Sequence, residues 1–235
     1  MRKFALFGLV TLLLFSVGAF ADNPYFYGGQ FDPTNQFANA LANENTATLG
    51  GDPYGAAVYQ NFYAESNISV TGLFTNNLST FTPASGYWEI RSGVSEDNGG
   101  TLVASGTGSV TNTPTGRNYR GDDEYTNIVS GLSVDLPTNQ YWFAMVPVCT
   151  TCQGEAFNTN SFGLFMIGKS DLNQEYFTSP SGPVFTNANN VCPDCQFPTF
   201  SSGVYADVVP EPSSLIMLGS GVLAAAGVLR RRISR

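Results

Sequence analysis

The chain has 235 residues, of which 10 are Lys or Arg and 18 are Asp or Glu, and it contains no His. Its net charge of −8 repels nucleic-acid phosphates and anionic membrane surfaces, so neither is expected as a partner. Without His, a Ser-His or Cys-His nucleophile pair and a His-containing metal site are both excluded. The composition therefore favours a protein that is not an enzyme.

The first 21 residues have the three parts of a secretory signal peptide. Arg2 and Lys3 form a basic start, residues 4–17 are almost wholly apolar, and Ala19 and Ala21 supply the small residues of a cleavage site. We predict cleavage after Ala21. The alternative is an N-terminal membrane anchor, but the apolar run of about 14 residues falls short of the roughly 20 that a spanning helix needs.

A second apolar segment lies at the other end of the chain. Residues 213–229 carry no charge and are followed by Arg230, Arg231 and Arg232. This pattern predicts a single transmembrane helix over 213–229, with the arginines as a cytoplasmic membrane stop and the preceding domain outside. An amphipathic or buried helix is the alternative, and the lack of a polar face argues against it.

The C-terminal tail, residues 209–235, resembles a known sorting signal. Pro210, Glu211 and Pro212 precede the short glycine-containing apolar segment and its arginine cluster. This order resembles the PEP-CTERM signal of exported bacterial proteins. The resemblance implies that an exosortase recognises the three residues and that the helix holds the protein transiently in the inner membrane. It also implies a final location at the cell surface or outside the cell.

The region between the two ends reads as all-β. It carries four basic side chains against seventeen acidic ones, a net charge of −13. Residues 22–57 look like an irregular lead-in with a short helix around 37–41, and residues 58–208 show short alternating strands separated by Gly- and Pro-rich turns. We predict an antiparallel, jelly-roll-like β-sandwich. The expected inward-facing residues on three strands are Ile68, Val70 and Phe74; Trp88 and Ile90, with Glu89 and Arg91 outside; and Leu132, Val134 and Leu136.

One strand, over residues 140–148, is apolar on both faces. It indicates either a central strand whose outer face is covered by another segment, or an exposed aromatic strip. In the second case, Tyr141 and Trp142 would stack on sugar rings, and extracellular polysaccharide would be the partner.

Four cysteines form two pairs with two residues between their members: Cys149 with Cys152, and Cys192 with Cys195. An exported domain reaches an oxidising space, so disulfides are favoured, with the pairing open among three connectivities. A four-thiolate zinc site is the second alternative and a redox dithiol the third. In both leading cases we expect the cysteines to staple an insertion, residues 149–195, to the rim of the sandwich.

Acidic turns offer a weaker signal. Asp122, Asp123 and Glu124 are oxygen ligands of the type that calcium prefers, although their spacing does not match an EF-hand and a solvated turn is the favoured explanation. No cofactor is required by any motif. A glycosidase would need two carboxylates lining a cleft, and nothing in the sequence singles out such a pair.

Two functions from different classes follow. The first is a non-enzymatic, exported cell-surface or extracellular-matrix protein that is sorted and processed through its C-terminal motif. The second is a carbohydrate-binding module with the same location. An enzyme is the third alternative.

Overall fold

The computed structural model describes residues 23–47, 55–179, 185–192, 194–210 and Ser220. The signal peptide predicted over residues 1–21 and most of the tail lie outside the described residues. Within the part of the chain that is described, no helix is long and apolar enough to cross a membrane. The predicted spanning segment, 213–229, therefore stays a prediction.

The described residues form fifteen strands and one short helix. Turns rich in Gly, Pro, Asn and Asp separate most of the longer strands, because these residues adopt turn conformations easily. The strands are β1 (Phe26–Tyr27), β2 (Ala40–Ala42), β3 (Asn45–Thr46), β4 (Ala57–Ala64), β5 (Ile68–Ser79), β6 (Ser85–Ser92), β7 (Thr101–Gly108), β8 (Val110–Tyr119), β9 (Asp122–Leu136), β10 (Asn139–Cys149), β11 (Ala156–Ser161), β12 (Tyr176–Thr178), β13 (Thr186–Asn187), β14 (Thr199–Phe200) and β15 (Ser202–Val208), and the helix α1 is Ala188–Val191.

These strands build two sheets. In the first, β9 and β15 flank the long strand β5; β8 lies outside β9, β1 lies outside β15, and β11 pairs with the end of β5 and with β2 and β14. The second sheet has the order β13-β12-β4-β10-β6-β7, with β3 beside β10. Among the described strands, only β3 and β10 pair in parallel. The predicted all-β, antiparallel sandwich is therefore confirmed.

The main core lies between the two sheets. Trp88 and Ile90 of β6 enter it as predicted, while Leu136 of β9 is buried and Leu132 and Val134 pack against its margin. Burying these apolar side chains stabilises the fold by about 25 cal/mol per Å² removed from water. The buried members are Phe26, Phe62, Ala64, Ile68, Val70, Leu73, Trp88, Ile90, Val129, Leu136, Tyr141, Phe143, Met145 and Val204.

A bulge in β5 changes which residues face this core. The pairing of β5 with both neighbours shifts register between Val70 and Gly72. An inserted residue in one strand exchanges the faces beyond it. Leu73 therefore enters the core, and the prediction for Phe74 was wrong: its ring packs outside, with centroids 5.6 Å from Tyr27 and 5.3 Å from Tyr205.

The aromatic strip of β10 is covered on both faces. Tyr141 belongs to the main core, whereas Trp142 packs on the opposite face with Tyr176 and Phe185. Both Tyr141 and Trp142 are 4% exposed. The first alternative for this strand is therefore correct, because the 149–195 insertion supplies much of the covering layer. The stacking role suggested for Tyr141 and Trp142 was wrong, since neither ring has a face open to a sugar.

The lead-in is part of the sandwich. Its strand β1 extends the first sheet beside β15, β2 joins β11 in the same sheet, and β3 joins β10 in the second sheet. The short helix expected around 37–41 is absent from this described segment, where β2 forms instead. Pairing with β11 supplies the backbone hydrogen bonds that a single helical turn would not.

Candidate functional site

The C-terminal tail begins where the last strand ends. Strand β15 pairs with β5 as far as Val208, which is opposite Ile68. The next residue, Val209, donates its backbone N–H to the carbonyl of Asn67 at 2.9 Å, and Pro210 is exposed. The folded domain therefore holds the chain up to the predicted sorting residues. Glu211, Pro212 and the three arginines at 230–232 lie outside the described residues.

The N-terminal end of the described chain lies at the same end of the domain. The Tyr25 hydroxyl accepts a hydrogen bond from the backbone N–H of Glu65 at 3.0 Å, in the turn that also contacts Val209. Asn23 lines a surface cavity together with Tyr205 and Asp207 of β15. Residues adjoining both predicted processing sites therefore meet beside the β4–β5 turn.

The cysteines form two separate disulfides, Cys149–Cys152 and Cys192–Cys195, with Cα atoms 5.3 and 5.2 Å apart. Each bridge closes a local turn rather than the insertion between the pairs. The expected staple of 149–195 to the rim was therefore wrong. The zinc alternative fails as well, because disulfide sulfurs are not the thiolates that zinc binds.

The structure does not bring Asp122, Asp123 and Glu124 together. Successive strand residues point to opposite faces, so Asp123 faces solvent while Glu124 is fully buried. Arg117 holds Glu124 through Nη2 at 2.5 Å. Within the described ranges, no three His, Cys, Asp or Glu side chains are arranged to hold a metal ion. The calcium interpretation of this cluster is therefore not supported, because its one buried carboxylate already has a cation.

Buried carboxylates are the feature that sequence reasoning missed. Glu44, Glu89, Glu124 and Glu175 are each at most 4% exposed. Glu89 was expected to face solvent, and it does lie on the outer face of β6, but the covering layer encloses it. It accepts hydrogen bonds from Arg91 Nε at 2.6 Å and from the Tyr87 hydroxyl at 3.0 Å. Opposite charges two residues apart in a strand lie on the same face, and that spacing was the available signal.

A polar groove of about 550 Å³ lies beside this covering layer. Its lining includes the polar side chains of Asn98, Thr101, Asn139 and Gln140, together with Trp142. The indole N–H of Trp142 is already bonded to the carbonyl of Gln174 at 2.8 Å. The groove therefore offers uncharged hydroxyl and amide groups, which suit a neutral polar ligand.

Together, the β-sandwich and the tail that leaves its last strand define the class: an all-β domain followed directly by a separate C-terminal segment. The PEP-CTERM protein-sorting motif matches residues 208–232. The chain thus carries a PEP-CTERM sorting motif at its C-terminal end, as its sequence resemblance implied, and the motif implies export and exosortase-dependent sorting to the cell surface. No curated protein matches the chain.

Proposed function

We propose that this chain is a non-enzymatic structural protein of the cell surface or extracellular matrix. Its precursor is cleaved after Ala21, held in the inner membrane by residues 213–229, and released or transferred when an exosortase acts at Pro210–Pro212. The observation that supports this proposal is where the motif lies relative to the domain. The match to the sorting motif starts at Val208, which is the last residue of β15.

This junction has a physical consequence for processing. Val208 and Val209 are exposed, and the hydrogen bond from Val209 to Asn67 is the last backbone contact before Pro210 in the described chain. Because the proline has no N–H, it cannot extend the β15 ladder. The enzyme therefore meets its recognition residues directly after the last strand of a folded domain, at a proline that cannot donate a backbone hydrogen bond to β5.

The test is the variant Glu211→Ala in the exporting host, with Asp207→Asn as the matched control. Asp207 is an exposed acid of β15 that lies just outside the motif. We expect Glu211→Ala to accumulate in the inner membrane with its tail intact, while the control is processed normally. Both the fractionation and the C-terminal mass should report this difference. Normal processing of Glu211→Ala would refute the sorting role of the motif.

The absence of catalysis is supported by the lack of His in the sequence and by the partners of the buried acids. Two of the four buried glutamates, Glu89 and Glu124, each contact an arginine, which is a structural use of charge. Incubating the purified protein with host polysaccharide and following reducing ends tests this part. Release of reducing ends above that of a boiled sample would contradict it.

A carbohydrate-binding function is the second candidate, and the polar groove is the observation that favours it. Its hydroxyl and amide side chains match the hydrogen-bonding groups of a neutral glycan, although Trp142, the aromatic residue of its lining, is 4% exposed and offers no stacking platform. Affinity electrophoresis in host extracellular polysaccharide should be slowed for wild type and restored to free mobility by Asn98→Ala with Gln140→Ala. Asn118→Ala, at an exposed position of β8 outside the groove lining, is the control. Equal mobility of all three proteins with and without glycan would exclude this function.

A further inference from the structure

Three buried polar side chains meet where β4 of the second sheet lies against β14 of the first. Gln60 lies in β4 of the second sheet, Thr199 lies in β14 of the first, and Glu175 lies just before β12. Each is at most 1% exposed. They form a contiguous polar contact of a hydroxyl, a primary amide and a carboxyl.

The hydroxyl and the amide are in direct contact. Thr199 Oγ1 donates to Gln60 Oε1 at 2.9 Å, and the backbone N–H of Phe200 donates to the same oxygen at 2.7 Å. Two donors on one carbonyl oxygen polarise the C=O bond and stabilise the negative charge that develops when its carbon is attacked. The nucleophilic oxygen is thus held beside an activated acyl group.

The nitrogen of the amide faces an acid. Gln60 Nε2 donates to Glu175 Oε1 at 3.1 Å and to the Asn61 carbonyl at 2.9 Å. Burial raises the pKa of Glu175 well above its usual range, and the opposing hydrogen bonds from Gln60 and from nearby backbone amides do not offset it. A carboxyl that holds its proton more tightly than usual can serve as the acid that protonates a leaving amine.

The backbone at Gly28 covers the contact between Thr199 and Gln60. A Cβ added to Gly28 would lie 2.8 Å from Thr199 Oγ1 and 2.1 Å from the carbonyl oxygen of Phe200. The backbone of the segment leading from β1 therefore passes directly over the threonine, at a distance that only glycine allows. This close cover limits access of water, which would otherwise hydrolyse an ester formed there.

A second buried threonine in the same domain contacts a carboxyl group, and comparing the two contacts shows which features are particular to Thr199. Thr159 Oγ1 donates to Glu124 Oε1 at 2.7 Å, but Glu124 is paired with Arg117. A carboxylate held by a guanidinium is a poor acyl donor, because its negative charge repels an attacking oxygen. The contact between Thr199 and Gln60 has a neutral acyl group, a nitrogen leaving group and no arginine partner among the contacts of its three side chains.

We propose that Thr199 and Gln60 form an intramolecular ester cross-link. Oγ1 of Thr199 attacks Cδ of Gln60, the Cδ–Nε2 bond breaks, and ammonia leaves. Glu175 protonates Nε2 as that bond breaks and is restored by the proton that leaves the threonine hydroxyl. The products are one ester and one ammonia, so no oxidant, metal or other reactant is consumed.

The bond joins residues 139 apart in sequence and ties the two sheets together. Thr199 precedes β15 by three residues, so the cross-link fixes the strand from which the tail leaves. Such a link would restrict the unfolded chain far more than the two local disulfides, because loop-closure entropy grows with the length of the closed loop.

The test is mass spectrometry of the full chain purified from its exporting host, digested without any step that cleaves esters. We expect a branched peptide joining the segments that contain residues 60 and 199, lighter than the sum of its parts by one ammonia. Hydroxylamine should split it into a free threonine peptide and a Gln60 hydroxamate. If the wild-type protein yields both segments only as separate linear peptides of unmodified mass, the proposal is overturned.

Variants separate this reaction from other losses of ammonia. Thr199→Val should abolish the branched peptide, Thr159→Val should leave it intact, and Glu175→Gln should slow its formation by about 100-fold or more. An ammonia loss that persists in Thr199→Val would place it elsewhere and refute the assignment. Because hydroxylamine treatment uses only the wild-type protein, the result stands even if a variant fails to fold.

Discussion

Replacing Arg91 by Met should destabilise the domain strongly, because Glu89 would keep a buried charge without a cation. Glu89 is fully buried, and Arg91 approaches it through Nε at 2.6 Å. Removing one partner of a buried ion pair costs about 3–5 kcal/mol. For a domain of this size, that lowers Tm by roughly 6–20 °C, at about 2–4 °C per kcal/mol.

Urea unfolding followed by Trp fluorescence measures this effect, with Lys169→Met as the matched control. Lys169 is exposed, and its Nζ lies 4.6 Å from the ring centroid of Tyr63, so its loss should cost about 1 kcal/mol or less. Arg91 also donates to the Gly99 carbonyl at 3.0 Å, so part of its loss is not electrostatic.

The double variant Glu89→Met with Arg91→Met isolates the charge contribution. If the cost arises from the uncompensated carboxylate, the double variant should recover most of the lost stability. A single Arg91→Met variant that unfolds within about 1 kcal/mol of wild type would refute the reasoning, because the desolvation penalty of a buried charge exceeds that.

Three further results are expected. Burial raises the pKa of Glu44 to about 7, so the folded state holds this proton more tightly than the unfolded chain, and stability should fall as pH rises from 4.5 to about 7; Glu44→Gln should flatten the urea midpoint over that range, and an unchanged slope would contradict this origin. Replacing Cys149 and Cys152 together by Ser should cost about 2 kcal/mol in chemical denaturation, the value for a four-residue loop rather than the larger one for a long insertion, and a loss above about 4 kcal/mol would show that the bridge does more than close its turn. Because Trp88 and Trp142 are 8% and 4% exposed, acrylamide should quench their emission weakly, and quenching like that of free tryptophan would show that these rings are open to solvent.

The fold class followed from the sequence because strand alternation is a local property. The pattern around Trp88 and Ile90 reports which face of one strand is apolar, and that needs no knowledge of the rest of the chain. The bulge after Val70 is different, because a register shift depends on how many residues the partner strands supply. For this reason the face of Ile68 was predictable and that of Phe74 was not.

The functional residues also differ in whether a local sequence pattern could predict them. The sorting tail was readable because its three parts are consecutive in sequence, whereas the cysteine pairing depends on turn geometry that spacing alone does not fix. Acid burial was also hidden, since the layer that encloses Glu89 comes from segments far from it in sequence. The contact between Gln60 and Thr199 spans 139 residues and has no local sequence pattern.

The position of β15 has a mechanical consequence. Its pairing with β5 runs from Ser202 to Val208, and the tail continues from the Val208 end. When the tail is held and the opposite end of the sandwich is pulled, tension acts along the axis of β15. The hydrogen bonds to β5 are then loaded together in shear instead of being peeled apart one by one. A domain anchored through this strand resists drag from its surroundings as one unit.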